Sequence, residues 1–169
     1  MFLVKTPNII DIEASGFGPQ SYPIEVGLVL ASGEKYCSLI RPAPGWTYWD
    51  TDAERVHRIS RDVLETHGKP IAEVARQLNA LLHNQTVYSD GWVVDNPWLI
   101  QLFFAAQVER RFTFSDLEMI LSEQQMAIWH ETKNAVIDDL SGRRHRASVD
   151  ATVVQQTYIR TLNQFSRSA

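Results

Sequence analysis

The stretch that decides the fold is NIIDIEASGFG, residues 8–18. Residues that favour a β-strand lead directly into two carboxylates, Asp11 and Glu13, which are separated by one residue. Because alternate residues of a strand point to the same face, these carboxylates lie side by side. Two neighbouring buried acids are costly unless a positive charge lies between them, and a divalent cation suits hard oxygen ligands. The stretch therefore predicts a strand that carries part of a metal site.

The same spacing of two acids occurs at three places in the chain, and context separates them. Asp52/Glu54 lies in TDAER, which resembles the start of a helix, where acids in the first turn are favourable. Asp116/Glu118 lies in FSDLEMIL, at the end of a strand or helix. Only Asp11/Glu13 stands on an apolar strand that another predicted strand follows closely. A solvated surface pair is the ordinary explanation for such a motif, so a metal site requires ligands from elsewhere in the chain.

Composition and charge limit the classes of protein to which the chain can belong. Its 169 residues, 44% hydrophobic and 21% charged, fit one globular domain over residues 1–169. No apolar run approaches a membrane span, and residues 1–10 do not resemble a signal peptide. One cysteine, Cys37, excludes an internal disulfide and favours a reducing, cytoplasmic location. The net charge of −4 argues against a protein that coats nucleic acid electrostatically, but not against an enzyme whose acids hold cations.

Hydrophobic patterning predicts an α/β order of elements. Strands are expected over residues 8–14, 22–31, 35–41, 85–89 and 110–117, with a hairpin turn at Ser32-Gly33. Helices are expected over 53–66 (one or two), 71–82, from Asp95 onward with Pro97 in the first turn, 121–138 and 146–164. Three strands in a meander, followed by alternating helices and strands, predict a mixed sheet with helices packed on it.

One later stretch, VYSDGWVVDNPWL at residues 87–99, offers two further acids at the end of a strand and the start of a helix. Asp95 suits a ligand, and it equally suits the N-cap of the helix. Asp90 suits a turn before Gly91. For each of these two acids, a role as a ligand and a role in local structure both stay open from the residues alone.

A second stretch, HRASVDATVV at residues 145–154, places His145 five positions before Asp150. The two side chains are then about 140° apart around a helix, so His145 would approach from the loop side a site that Asp150 reaches from within the helix. Ala147 and Ala151 keep this helix slim, which allows close approach to the strand of Asp11. The alternative for His145 is a surface position in a basic turn, Arg143-Arg144-His145-Arg146, whose arginines either contact phosphates or are solvated.

Taken in order, these motifs resemble the DEDDh (DnaQ-like) 3′-to-5′ exonuclease superfamily, which includes ribonuclease T and the proofreading subunits of replicative polymerases. The resemblance covers residues 8 to about 155. The residues that carry it are Asp11-Ile12-Glu13, Asp95-Asn96-Pro97-Trp98-Leu99 and His145-Arg146-Ala147-Ser148-Val149-Asp150. It extends to VHRISRDVL, residues 56–64, where the family usually has glycine in place of Arg58. The family often has His-Asn and then Phe before the Asp of its second motif, which is Asp95 here. In this chain Asp90, Gly91 and Val94 occupy those places. Asp90 is therefore a candidate to take the place of Asp95.

The resemblance implies a fold, a cofactor and a reaction. The fold would be an α/β, ribonuclease H-like mixed five-stranded sheet, with a three-strand antiparallel meander plus parallel strands, flanked by helices. Two Mg²⁺ or Mn²⁺ ions per active site would be held by Asp11, Glu13, Asp95 and Asp150, and His145 would act as general base. The substrate would be the 3′ end of single-stranded DNA or RNA, and the product a 5′-nucleotide. No membrane partner is expected, and a homodimer stays open.

The loop PGWTYWD, residues 44–50, is a candidate for holding the substrate. Stacking of bases on aromatic rings grips a strand end without bulk positive charge. We expect at least one of Trp46, Tyr48 and Trp49 to contact terminal bases, although a lid packed on the core is the alternative for at least two of them. Ser15 and Gly16, which follow the first acids, are also expected to contact substrate.

Two other classes compete with an exonuclease. A binding module would keep the fold and lose the activity, which a missing acid would reveal, and none is missing. A sugar-nucleotide transferase could use Asp11 and Glu13 as its metal site, but acids supplied from late helices argue against it.

Overall fold

A computed structural model describes residues 6–140 and 145–166, which form one five-stranded mixed sheet in the order β3-β2-β1-β4-β5. The first three strands pair antiparallel, whereas β4 pairs parallel with both β1 and β5. The fold class expected from the sequence is therefore confirmed. The strands are β1 (Asn8–Ala14), β2 (Pro23–Val29), β3 (Lys35–Leu39), β4 (Thr86–Ser89) and β5 (Thr113–Asp116).

Within the described residues, six α-helices lie among and after the strands, and a short 3₁₀ turn at Leu117–Ile120 follows β5. The helices are α1 (Thr51–His57), α2 (Arg61–His67), α3 (Ile71–Leu82), α4 (Trp92–Ala106), α5 (Glu123–Leu140) and α6 (Ala147–Ser166). The prediction for α3 is correct at both ends, because its apolar residues recur at helical spacing. Among the described helices, none has the length and apolar character needed to cross a membrane.

The start of α4 differs from the prediction. The helix begins at Trp92 rather than at Asp95, because the carbonyl of Gly91 accepts hydrogen bonds from the backbone N–H groups of Val94 and Asp95, both at 2.9 Å. Pro97 consequently lies inside the helix and not in its first turn. The carbonyl that Pro97 leaves without an intrahelical donor belongs to Val93, an exposed residue, so the loss is tolerated there.

The two faces of β1 are used differently. Ile10 and Ile12 point into the core that the sheet forms with α3 and α4, whereas Ile9 packs in a second cluster with α6 residues such as Ala151 and Val154. Because side chains alternate along a strand, Asp11 and Glu13 share the face of Ile9. The two acids of β1 therefore point to the side of the sheet that α6 covers.

Gly27 lets α6 come close to this face. It lies opposite Asp11 in the β1–β2 register, and a Cβ atom there would overlap the backbone of Ala147 and Ser148. Ala147 and Ala151 are both fully buried, as expected for a slim helix. The crossing at Gly27 sets the first turn of α6 beside Asp11.

Candidate active site

Three carboxylates meet where α6 crosses the sheet. Asp11 and Glu13 of β1 and Asp150 in the first turn of α6 each offer one oxygen atom, and these oxygens all lie within 4.8 Å of one another. Residues 139 positions apart in the chain thus form one cluster. The structure brings together three of the four metal ligands that the sequence suggested.

Asp95, the fourth, is buried in the first turn of α4 and lies outside that 4.8 Å group. It is not the N-cap, since that position belongs to Gly91. Its Oδ2 accepts a hydrogen bond of 2.5 Å from the hydroxyl of Ser89, the last residue of β4. Asp95 is nevertheless close enough to Asp11 to be the main charged group that raises the pKa of Asp11.

Burial and like charge make this cluster hold protons when no cation is present. Burial, followed by the charges of Asp95, Glu13 and Asp150, raises the pKa of Asp11 well above its ordinary value. Burial and then the Asp150 and Glu25 carboxylates raise the pKa of Glu13 to about 8. Burial raises the pKa of Asp95 to about 7, against the lowering effect of the Ser89 hydrogen bond. A divalent cation would reverse these shifts by favouring the charged carboxylates.

The residues fit a hard divalent cation. The buried Oδ2 of Asp11 has no hydrogen-bond partner among the described residues, although a buried oxygen of this kind ordinarily has one. The donors are all carboxylate oxygens, which is the ligand chemistry of Mg²⁺ and Mn²⁺. An ion bound by the cluster would give the Asp11 Oδ2 atom a partner, and it would also offset the repulsion among the carboxylates.

A buried ion pair holds the first turn of α6 in place. Glu25 of β2, fully buried, lies opposite Glu13 in the strand register. The guanidinium of Arg146 donates to both Glu25 oxygens, with Nη2 at 2.7 Å from Oε1 and Nε at 3.1 Å from each. The backbone N–H of Ala147 donates to the same carboxylate at 3.1 Å. We call these three residues the Glu25 clamp. It ties the start of the helix that carries Asp150 to the strand beside Glu13.

The clamp also decides the role of one predicted arginine. Arg146 was expected either to contact phosphates or to be solvated, and its guanidinium instead binds Glu25. Arg143 and Arg144 lie outside the described residues. His145, one position before the clamp, is exposed and has a φ of 62°, in the left-handed region that is uncommon for a residue other than glycine.

Asp90, which the sequence offered as a stand-in for Asp95, points elsewhere. Its Oδ2 is 2.5 Å from the ammonium of Lys133 on α5, and both side chains are partly exposed. Its charge still contributes to raising the pKa of Asp95. Asp95 is thus the acid that faces the cluster, and Asp90 links the β4–α4 turn to α5.

Two of the three loop aromatics belong to a lid packed on the protein. Trp46 stacks on Tyr22 with ring centroids 5.4 Å apart, and it packs against two core clusters. The indole N–H of Trp49 donates to Glu54 at 2.5 Å, and its ring meets the edge of His57. Tyr48 is the most accessible of the three. The lid interpretation thus describes Trp46 and Trp49, and Tyr48 remains as the loop's candidate for base contact.

Ser15 and Gly16 connect this loop to the strand of acids. Ser15 is fully buried; its hydroxyl accepts from the N–H of Tyr22 at 3.1 Å, and its backbone groups bond Tyr22 and Asp50. A Cβ at Gly16 would come within 2.6 Å of the Tyr48 ring. The backbone groups of Ser15 and one acceptor site of its hydroxyl are therefore used internally, and Gly16 lets Tyr48 approach the end of β1.

Sequence reasoning missed three residues. Phe17, directly after Gly16 and four residues after Glu13 in the chain, is 68% exposed. The available signal was an aromatic between two glycines immediately after the acidic strand. Glu25 and Gly27 gave weaker signals: an acid within an otherwise apolar strand, and a glycine inside that strand, which often marks a close backbone approach.

Comparison with solved structures places the fold among exonucleases. Exonuclease I of Methylocaldum szegediense aligns with a TM-score of 0.71 and 11% identity, over 93% of this chain and 40% of that one. E. coli exonuclease I bound to a dA16 oligonucleotide aligns at 0.65 and 12%, over 88% and 39%. Its zinc-bound complex with single-stranded DNA aligns at 0.66 and 12%, over 89% and 39%. This chain thus spans about two-fifths of each of these proteins.

No protein-family model matches the chain, and no curated protein matches it by sequence. At such low identity, the structural similarity shows the fold alone. It supports the ribonuclease H-like exonuclease fold and does not support the ribonuclease T or proofreading type that the sequence pattern suggested.

Proposed function

We propose that the protein is a metal-dependent 3′-to-5′ exonuclease that hydrolyses phosphodiester bonds at single-stranded ends and releases 5′-nucleotides. The observation that carries the proposal is the meeting of Asp11, Glu13 and Asp150 oxygens within 4.8 Å on this fold. A surface pair of acids would leave the Asp11 oxygen in water. Here the oxygen is buried and lacks a partner among the described residues, so the cluster is better explained as a ligand set.

Each acid has a place in this proposal. Asp11, Glu13 and Asp150 would hold one Mg²⁺ or Mn²⁺ ion, and Asp11 and Asp95 would contribute to a second. When bound, such ions polarise the attacking water and stabilise negative charge on the leaving 3′ oxygen. The Ser89 hydrogen bond fixes the orientation of the Asp95 carboxylate. The Glu25 clamp sets the position of Asp150 by holding the first turn of α6.

His145 would take the proton of the attacking water as general base. It is exposed and directly precedes Arg146, whose ion pair with Glu25 holds the backbone next to it. Imidazole suits this task because its proton exchange occurs near neutral pH. Phe17 and Tyr48 would stack on the terminal bases, since both rings are exposed and Gly16, next to Phe17 in the chain, allows the close approach of Tyr48.

Single-stranded DNA is the substrate to test first. The exonuclease I structures above were obtained with dA16 and with other single-stranded oligonucleotides, and stacking on exposed rings tolerates any base. RNA of matched sequence is the second substrate.

The competing classes are less well supported. A binding module does not need four acids around a carboxylate oxygen that lacks a hydrogen-bond partner in the described part of the chain, and all four are present. A sugar-nucleotide transferase would use the pair on β1 without acids from α4 and α6. Both alternatives predict that no nucleotide is released from an oligomer.

The test is a digestion of matched DNA and RNA oligomers, labelled at the 3′ or the 5′ end, with Mg²⁺, with Mn²⁺ and with excess chelator. A 3′ label should appear first as a mononucleotide, whereas a 5′ label should pass through a ladder of shortening products. Asp11→Ala should abolish hydrolysis and keep the fold. Asp52→Ala is the matched control, because Asp52 is an exposed acid of α1 that one residue separates from Glu54, as one residue separates Asp11 from Glu13. This variant should hydrolyse the oligomers as the parent does. Equal hydrolysis with and without chelator contradicts the proposal.

A further inference from the structure

A cleft with a mostly basic lining lies between α3 and the segment that leads into β5. It has a volume of about 530 Å³, and its titratable side chains are Arg76, His83, Glu109 and Arg111. Helix α3 packs on the face of the sheet opposite to the acids, through the core cluster that contains Ile10. The cleft is therefore separate from the carboxylate cluster. We call it the α3 cleft.

One side of α3 forms the first wall of this cleft. Arg76, Asn79, Ala80 and the C-cap residue His83 recur at intervals of three, one and three residues, so they lie on the same side of the helix. Ala80 lies between Arg76 and His83 on this side, and its short side chain leaves the cleft open. The wall therefore presents a guanidinium and an imidazole to the same space.

Two hydrogen bonds from one side chain fasten the second wall to α3. The amide of Asn79 donates to the carbonyl of Glu109 at 2.7 Å and accepts from the backbone N–H of Arg111 at 2.8 Å. The carbonyl of Arg111 in turn accepts from the N–H of Asn84 at 3.0 Å. Because the backbone of Arg111 is fixed on both sides, a ligand that binds its guanidinium has only the side chain to order.

Neither arginine of the cleft is used within the described part of the chain. Arg76 and Arg111 are exposed, and the ion pairs of the described residues do not include their guanidinium groups. Arg146 and Arg160, by contrast, each bind a carboxylate. The planar fork of donors on an arginine matches the oxygens of a phosphate. Two such forks in one cleft, on a protein of net charge −4, indicate a local anion site rather than general attraction.

A nucleic-acid strand offers an anion that suits both the cleft and the proposed function. Its phosphates repeat at about 3.4 Å or more per nucleotide, whereas a domain of 169 residues is roughly 40 Å across. A strand of thirty nucleotides, about 100 Å or longer, can therefore lie at the acids and continue to the cleft. A strand of four nucleotides, about 14 Å at the same rise, cannot reach both.

We propose, on the basis of the proposed exonuclease function, that the α3 cleft is a second nucleic-acid-binding site, which binds phosphates of the strand upstream of the 3′ end that is hydrolysed. Arg76 and Arg111 each bind a phosphate, and the imidazole of His83 is a third polar group beside them. Glu109 repels the strand and limits its affinity. Long strands are held at two sites, which raises their affinity without a new contact at the acids.

Binding of fluorescent dT30 in excess chelator measures the cleft without the metal site. A double variant, Arg76→Gln with Arg111→Gln, should weaken this binding at least about tenfold. It should also reduce the slope of log affinity against log salt by about 1.4, since each phosphate contact to a single strand contributes about 0.7. Arg41→Gln is the matched control and should bind as the parent does, because Arg41 is an exposed arginine after β3, at the opposite edge of the sheet.

Glu109→Gln gives a second variant whose effect has the opposite sign. It removes the acid from the lining of the cleft and should tighten dT30 binding at least about twofold, a gain that loss of folding cannot produce. In Ca²⁺, the double variant should also lose at least about tenfold of the parent's preference for dT30 over dT4, since only the longer strand reaches both sites.

Two results overturn the inference: parental binding of dT30 by the double variant, or an equal loss of binding in Arg41→Gln, which would indicate general charge attraction. Polyglutamate of matched charge that binds the parent as tightly as dT30 does would assign the cleft to an acidic peptide and overturn a nucleic-acid site. A failure of the proposed function is seen separately, as the absence of hydrolysis by the parent in Mg²⁺ or Mn²⁺.

Discussion

Arg146 and Glu25, 121 residues apart in the chain, form a bidentate ion pair in which the carboxylate is fully buried and the arginine side chain is 38% exposed. The pair joins the second strand of the sheet to the first turn of α6. Because Asp150 lies in that turn and Glu13 lies beside Glu25, the pair also determines how closely the acids of the cluster approach one another.

The unequal burial of the two partners predicts unequal costs of mutation. Arg146→Gln leaves the fully buried Glu25 carboxylate without its cation and should lower the free energy of unfolding by about 3–5 kcal/mol. Glu25→Gln leaves the half-exposed guanidinium free to reach water and should cost about 1–3 kcal/mol. Urea unfolding of both variants at pH 7 measures the two costs. A larger loss for Glu25→Gln would show that the clamp is misassigned.

The raised pKa values of the cluster predict how stability changes with pH. Folded Glu13, with a pKa of about 8, and Asp95, with about 7, bind protons that the unfolded chain releases near pH 4. The stabilising contribution of such groups is complete below the unfolded pKa and is lost as pH rises through the folded value. The melting temperature in chelator should therefore fall from pH 5.5 to pH 8.5.

Two controls accompany that measurement. Saturating Mg²⁺ or Mn²⁺ should restore the melting temperature at pH 8.5, because the cation favours the charged carboxylates and displaces their protons. Glu13→Gln should reduce the slope in chelator, since one group no longer titrates. A melting temperature that rises steadily over this range in chelator would contradict the shifts.

Two exposed aromatic rings near the end of β1, those of Phe17 and Tyr48, are expected to bind the end of the single-stranded nucleic acid. Phe17→Ala and Tyr48→Ala should each weaken binding of single-stranded DNA by about ten- to a hundredfold, as expected for the loss of one stacked base. Binding is measured in Ca²⁺, which should occupy the site without supporting rapid cleavage. Met119, an apolar residue on the 3₁₀ turn, is 77% exposed, and Met119→Ala should bind as the parent does. If both ring variants bind single-stranded DNA with the parental affinity, other residues must bind the end of the DNA.

Arg58 gives a prediction about stability alone. It ends α1 with a φ of 59°, and its N–H donates to the carbonyl of Glu54 at 2.7 Å. The resembling family usually has glycine there, and glycine adopts this conformation without steric cost. Arg58→Gly should raise the free energy of unfolding by about 1 kcal/mol. Arg55→Gly, within the same helix, should lower it by about 1 kcal/mol, and equal effects of the two changes would refute the explanation.

The parts of the structure that sequence predicts are those specified by neighbouring residues. The acidic strand, helix α3 and the order of strands follow from local periodicity, and the slim start of α6 follows from its alanines. The predicted start of α4 was wrong because the carbonyl of Gly91 accepts the first hydrogen bonds of the helix, and no side chain caps it. Glu25 was missed because its partner is 121 residues away. The roles of Trp46 and Trp49 depend on Tyr22 and His57, which only the folded chain brings to them.

The measurement that tests the account most directly is the number of Mn²⁺ ions that bind per chain, counted by electron paramagnetic resonance at pH 8 in the presence of a single-stranded oligonucleotide that resists hydrolysis. We expect two ions for the parent and for the exposed-acid control Asp52→Asn. We expect no more than one for Asp150→Asn, which removes the only acid that α6 brings to β1. Binding of two ions by Asp150→Asn, or of none by the parent, would contradict the claim that Asp11, Glu13 and Asp150 form a metal site.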